Sequence, residues 1–295
     1  MNTIEKLLRS KPVLFDGATG TELQKRGLPA GVAPELWNLE KPEVVEEVAR
    51  NYVRAGAFVI ETNSFGGNRK RLEAGGIDRK INDVNIGAVK SALKAANKDA
   101  VVIGSIGPLG TLIEPLGETS RVGAKDLFRE QTEILLKTGV HVVLVETMIS
   151  LDEALLALAG AKEAGCEEVG VTMTFEVKAN GVRTPFGEDV AKVAESLERA
   201  GASFIGSNCG NGFEEMLVVA KEMRISTGLP LLIQPNAGLP VYNGNGISYP
   251  GTPEQFTEFV VKAVSMGIDF VGGCCGTTPA HIAAAHGSLE QLRVK

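Results

Sequence analysis

Histidine, cysteine and the larger aromatics are scarce in this chain: 295 residues contain three His, four Cys, one Trp and three Tyr. Four cysteines, with no apolar leader in Met1–Ser10, argue against a disulfide-stapled secreted scaffold. A reducing compartment, the cytoplasm by default, is expected. No run approaches the ~18 apolar residues of a membrane span. Positive charge is not in excess; the net charge of −6 leaves no electrostatic footprint for DNA, RNA or an anionic membrane. Pro/Ser-rich linkers, charge blocks and low-complexity tracts are also missing, so residues 1–295 read as one domain.

What is present is a repeating pattern. Short apolar, β-branched runs end in polar or Gly residues, and an amphipathic stretch follows each. The runs are 12–18, 58–65, 101–108, 142–148, 168–175, 203–210, 230–238 and 270–277. Near-continuous apolarity is the signature of parallel strands covered on both faces. Helical stretches such as 42–55, 125–138, 152–164, 189–200, 254–266 and 279–292 lie between them. Gly56, Gly139, Gly165, Gly201 and Gly267 stand where a left-handed residue would close a helix before the next strand. Eight such units predict an α/β fold, a single (β/α)8 TIM barrel. A doubly wound open sheet is the alternative. The long connections 19–41, 109–124, 176–188 and 239–253 all follow strand C-termini, which puts a site at that mouth. Asn180-Gly181 and Asn243–Gly246 read as hairpin turns projecting from it.

Polar residues at the predicted strand ends converge on this rim. They are Asp16; Glu61, Thr62 and Asn63; Ser105 and Gly107; Glu146; Asn208 and Cys209; Asn236; and Cys274 with Cys275. The sequence Gly272-Gly273-Cys274-Cys275-Gly276-Thr277-Thr278-Pro279 is the most informative stretch. Flanking glycines let the backbone turn both sulfurs toward one point. Cys209 adds a third, giving a three-thiolate zinc site with its fourth tetrahedral position open, the mark of a catalytic site. The competing reading is two small core residues in a Gly-rich strand end. Cys166, at the opposite end of strand five, is expected in the core. Histidine offers little to a hydrolytic metal: His141 lies at the wrong end, and His281 and His286 are five apart on one helix. Three thiolates make zinc a poor activator of water, yet a good partner for an incoming thiol, which suits alkyl transfer to sulfur. Asp16 and Glu146 could hold the ammonium group of an amino-acid substrate, unless they are turn and cap residues. Its carboxylate would take backbone N–H donors at Gly17-Ala18 or at Ser105-Ile106-Gly107.

Together with Leu14–Glu22, Glu61–Gly66, Gly104–Pro108, Asn208-Cys209 and Pro235–Gly238, the double-cysteine motif resembles the zinc-dependent homocysteine S-methyltransferase family. The likeness covers essentially the whole chain. It looks closest to the homocysteine-binding module of cobalamin-dependent methionine synthase. The resemblance implies one zinc ion per chain on Cys209, Cys274 and Cys275, and homocysteine held through its amino group by Asp16 and Glu146. It implies Asn236 as a resting fourth ligand. Gly210 departs from the pattern, since methionine-synthase-like members often have Ser there.

Family members take methyl groups from a methylated corrinoid, S-methylmethionine, S-adenosylmethionine or betaine. Onium donors favour aromatic cages, and only Trp37, Tyr52, Tyr242 and Tyr249 are on offer beyond the phenylalanines. Thr147 stands where betaine-using relatives have an aromatic. A methyl-corrinoid on a separate protein is therefore the expected donor, because no Asp-x-His-x-x-Gly ligand motif is present. Other outcomes stay open: a sulfonium donor, another small thiol as acceptor, or a non-catalytic zinc- or thiol-binding barrel.

Overall fold

The apolar runs become strands buried between a barrel interior and a shell of helices. In the computed structural model, which describes residues 2–242, 244 and 247–293, eight barrel strands are parallel. They are β1 (Val13–Leu14), β2 (Val59–Glu61), β3 (Val101–Ile106), β4 (Val142–Met148), β5 (Glu168–Met173), β6 (Phe204–Cys209), β7 (Leu231–Pro235) and β8 (Phe270–Val271). They pair in the order β1-β8-β7-β6-β5-β4-β3-β2. The ends meet through a parallel bridge between Phe15 and Val59, and Phe58 N–H donates to the Leu14 carbonyl at 2.8 Å. This is the (β/α)8 barrel the pattern predicts. Among the described residues, no helix is long and apolar enough to cross a membrane.

Two cores result. The inner one fills the barrel with Phe15, Val59, Ile103, Leu144, Phe204 and Phe270, and the Phe204 and Phe270 rings meet edge-on at 5.6 Å. The larger one lies between strands and helices. A short N-terminal helix, Thr3–Leu8, plugs the bottom by adding Ile4 and Leu7 to the inner core. Its Thr3 and Ile4 N–H groups donate to the Glu168 carboxylate at 2.8 and 2.6 Å. Gly56, Gly139, Gly165, Gly201 and Gly267 all have φ between 80° and 117°, so the predicted helix-closing glycines take the left-handed conformation.

The structure differs from expectation in the extents of several runs, the second shrinking from 58–65 to Val59–Glu61, and in one connection. The first and last runs were expected to be strands over 12–18 and 270–277, but the ladder ends near Phe15 and at Val271. Beyond that point the chain leaves the sheet to build the mouth. The connection 19–41 is not open loop: it holds helices Thr19–Lys25 and Trp37–Glu40, because Leu23, Leu28 and Trp37 are buried in the outer core. Asn180-Gly181 does turn a hairpin, Glu176–Lys178 against Gly181–Arg183. A second joins Val241–Tyr242 to Ile247–Ser248, while the predicted turn residues Asn243, Asn245 and Gly246 lie outside the described residues.

Close strand packing makes one glycine contrast measurable. A Cβ at Gly206 would lie 1.8 Å from the Leu232 carbonyl oxygen, whereas one at Gly287, on the last helix, meets nothing within 4 Å. Gly206→Ala is expected to destabilise by about 3 kcal/mol or more. Gly287→Ala is expected to stabilise by up to about 1 kcal/mol. Denaturant unfolding of the two variants checks both signs.

Candidate metal and substrate site

Side chains along a strand alternate between faces, and two residues break that rule at the mouth. On β4, Val142 and Leu144 point inward while Val143 and Val145 point to the helices. Glu146 therefore points inward, and Thr147 should point out. Instead Thr147 has φ 59°, the β4–β5 register slips there, and both residues line the cavity. On β6, Cys209 has φ 66° and joins Asn208 in the same cavity. Positive φ is uncommon for non-glycine residues and a genuine outlier for β-branched Thr.

The loop after β8 brings in the other two sulfurs. Gly273 N–H donates to the Asp16 carbonyl (2.9 Å), Cys274 N–H to Pro235 O (2.8 Å), and Cys275 O accepts from Ala237 N–H (2.9 Å). The loop is thus stitched to β1 on one side and β7 on the other. Thr277 Oγ1 accepts from Ala18 N–H and donates to Cys274 O, and the Tyr52 hydroxyl reaches the Ala18 and Thr277 carbonyls at 3.1 and 3.0 Å. A side chain at Gly276 (φ 85°) would run into the Tyr249 ring, 2.2 Å from a Cβ there. The ligand atoms of Cys209, Cys274 and Cys275 all lie within 4.8 Å of one another, and Cys209 and Cys274 Sγ are 3.1 Å apart. Neighbouring sulfurs around tetrahedral zinc stand roughly 3.8 Å apart, so a small adjustment of this set fits the ion. Asn236 donates its side-chain N–H to Gly210 O at 2.8 Å, and its Oδ1 is buried with no hydrogen-bond partner among the described residues. Asn236 N–H also donates to the Cys209 carbonyl at 3.2 Å, so this orphaned oxygen belongs to a residue tied to the Cys209 turn.

The three thiols share protons unequally. Cys275 is drawn down to about 3 by hydrogen bonds from Cys209 and Cys274, against burial, with help from the Tyr249 hydroxyl. Cys274 is pushed well up by its hydrogen bonds to Cys209 and Cys275, and by burial. For Cys209 the bond from Cys274 lowers the thiol, but its bond to Cys275, burial and neighbouring charge outweigh this and raise it. Cys166 is buried elsewhere, as expected, and burial lifts its thiol to about 11.

Beside the sulfurs lie three carboxyl groups, those of Asp16 and Glu146 buried and that of Glu61 partly so. Asp16 accepts from the Glu61 N–H at 2.9 Å, Glu61 from the Gln234 amide at 2.7 Å, and Glu146 from the Ser105 hydroxyl and, at 3.2 Å, from the Asn208 amide. All three are raised. Burial leads each time; the charge of Glu61 comes next for Asp16 and Glu146, while hydrogen bonds from Gln234 and Glu146 partly offset it for Glu61. Among the described residues no lysine or arginine pairs with them. A cavity of about 840 Å³ connects Gly17, Glu61, Ser105, Glu146 and the three cysteines. Carboxyl groups held this way, without a basic partner, favour a positively charged guest.

The backbone donors divide. Ala18 N–H is taken by Thr277 Oγ1, Ser105 N–H by Thr62 Oγ1 and Gly107 N–H by Phe65 O. Of those expected to meet a substrate carboxylate, Gly17 N–H has no partner among the described residues. Ser105 contributes its hydroxyl, to Glu146, rather than its N–H. Two supports escaped the sequence reading. Gln234 was signalled only by a lone amide in an apolar strand, and Tyr249 only by its place beside a hairpin.

The chain is similar to proteins of known activity along most of its length. The family profile of homocysteine S-methyltransferase matches residues 13–289. Methionine synthase of Mycobacterium tuberculosis is 31% identical over 305 residues, covering 97% of this chain and 25% of that protein. Betaine–homocysteine S-methyltransferase 1 of Xenopus tropicalis is 31% identical over 317 residues, covering 98% and 76%. The metallated crystal structure of the Escherichia coli homocysteine methyltransferase MmuM superposes with a TM-score of 0.81 at 25% identity, covering 97% and 99%.

The carboxyl cluster has a consequence for stability. A carboxyl raised by folding stabilises the fold fully below its unfolded pKa, and that contribution is lost as pH rises through the folded value. Glu61→Gln removes one charge from the cluster, so the variant is expected to melt higher than the wild type at pH 8. The gain should vanish below about pH 3, where all three groups are protonated in both states. Thermal melts of the metal-free proteins across pH check it; a lower melting point at pH 8 would contradict the reading.

Proposed function

The chain belongs to the homocysteine S-methyltransferase family, and we propose that it methylates the sulfur of homocysteine at a zinc site formed by Cys209, Cys274 and Cys275. One observation carries this reading: three convergent sulfurs stand beside three carboxyl groups, two of them buried, that have no cation of their own among the described residues. Zinc on those sulfurs would supply the Lewis acidity that keeps an incoming thiol as thiolate near neutral pH. Asn236 Oδ1 is the resting fourth donor in this reading.

The protein's own residues do the rest. Asp16 and Glu146 accept the homocysteine ammonium group, and its charge draws both carboxyls back to the ionised form. Gly17 N–H takes the substrate carboxylate. Ser105 and Asn208 hold the Glu146 carboxylate in place. The thiol proton leaves to solvent, the sulfur forms a bond to the donor's methyl carbon, and the donor keeps the electron pair of the bond that breaks.

The donor in this reading is a methyl-corrinoid, whose cobalt passes from the +3 to the +1 state as the methyl group leaves. The chain spans about a quarter of the length of the methionine synthases it matches, so the corrinoid would be carried outside these residues. Phe65 is the single aromatic residue lining the site cavity among the described residues, which leaves an onium donor without an aromatic cage.

Metal and substrate roles separate by mutation. Cys274→Ala is expected to lose zinc and methyl transfer while keeping a folded barrel by circular dichroism. Glu146→Gln is expected to keep its zinc yet bind homocysteine about 10- to 100-fold more weakly, the worth of a charge-assisted hydrogen bond. Zinc loss in the glutamine variant would assign Glu146 to the metal instead. The donor is tested by methionine formation from methylcobalamin, S-methylmethionine, S-adenosylmethionine and betaine. We expect methylcobalamin to be used and betaine not. Fast turnover of S-methylmethionine without corrinoid activity would overturn the donor, and no methionine from any donor would favour a non-catalytic thiol-binding barrel.

A further inference from the structure

Asn208 is completely buried, and every hydrogen-bonding position of its amide is occupied. Oδ1 accepts from Thr147 N–H and from Thr172 Oγ1, both at 2.8 Å. Nδ2 donates to Thr147 Oγ1 at 2.6 Å and to Glu146 Oε2 at 3.2 Å. An amide has two such hydrogens and two acceptor lone pairs, so none remains for the sulfurs of Cys209 and Cys274, at 4.0 and 3.9 Å. Turning the amide over would set its NH2 against Thr147 N–H and its oxygen against a carboxyl oxygen of Glu146. The network therefore admits one orientation.

Three of these contacts fall on the irregular stretch of β4. Thr147 is gripped at both its N–H and its hydroxyl, by a residue two strands away, in the left-handed conformation that Thr rarely adopts. That conformation is what turns two consecutive residues, Glu146 and Thr147, toward one cavity. Thr174, on the segment between the two strands, adds its hydroxyl to the Asn208 carbonyl at 3.2 Å and fixes the β6 end of the clamp.

We propose that Asn208 is a positioning residue: by clamping Thr147 in the left-handed region it holds the β4 irregularity that aims the Glu146 carboxylate into the substrate cavity. The proposal rests on the functional reading above, in that the group meeting Glu146 is the homocysteine ammonium. Aspartate could not replace it, because it lacks the two donors and adds a fourth carboxylate to the cluster.

Asn208→Ala, Thr147→Gly and the double variant test the clamp. Glycine enters the left-handed region without the Cβ penalty, so it supplies by backbone preference what Asn208 supplies by hydrogen bonding. Asn208→Ala is expected to weaken homocysteine binding about tenfold in calorimetry of the zinc-loaded protein, with zinc content unchanged. The double variant should regain most of that loss. Unchanged binding in Asn208→Ala, or no recovery in the double variant, would overturn the proposal. A crystal structure of Asn208→Ala gives a readout that needs no substrate: Thr147 should leave the left-handed region and the Glu146 carboxylate should move. Unmoved residues would refute the clamp even if the wild type binds homocysteine, and failure of the wild type to bind would refute the functional reading alone.

Discussion

Everything at the barrel mouth depends on how the segment after β8 is tied to its neighbours. Three backbone hydrogen bonds, from Gly273 to Asp16, from Cys274 to Pro235 and from Ala237 to Cys275, hold the double cysteine between β1 and β7. They fix Cys274 and Cys275 against Cys209, and they place the Asp16 backbone next to the sulfurs. The glycines serve the same end. A Cβ at Gly272 would lie 2.7 Å from that of Phe15, and one at Gly273 would lie 2.3 Å from Thr277 Oγ1. The double cysteine and the Asp16 segment are thus parts of one hydrogen-bonded assembly.

That assembly is electrostatically unfavourable by itself. Three carboxyl groups and three thiols share a buried space, and burial pushes most of them toward their neutral forms. Such a site does not fold itself; the two apolar cores beneath and around it carry the cost. In the proposed function, metal and substrate ammonium would both bring positive charge to the place where the protein has withheld it. Binding of either would relieve a strain that the free protein carries, as expected of a functional site rather than a core of equal size.

Much of this was legible in the residues. Apolar runs separated by helix-closing glycines specified a parallel barrel, and the spacing of those runs put Asp16, Glu146, Cys209 and the double cysteine at one rim. The short extents of β1 and β8 were not legible, because Gly272 and Gly273 look like a strand end until the loop's tertiary hydrogen bonds are known. Strict alternation would also have sent Thr147 and Cys209 to the outer face. Their left-handed conformations are imposed by contacts far away in sequence, Asn208 to Thr147 across 61 residues among them, and no local propensity for Thr or Cys announces them. Gln234 was silent for the same reason: its partner, Glu61, lies on a strand 173 residues distant.

The central claim is that three thiolates hold a metal with a position that a substrate thiol can take. X-ray absorption at the zinc edge of the metal-loaded protein, with and without homocysteine, tests it most directly. The account predicts three sulfur neighbours at about 2.3 Å plus one lighter atom in the free protein, and four sulfurs once homocysteine is bound. A sulfur count that stays at three with substrate, or a shell dominated by nitrogen and oxygen, would contradict it.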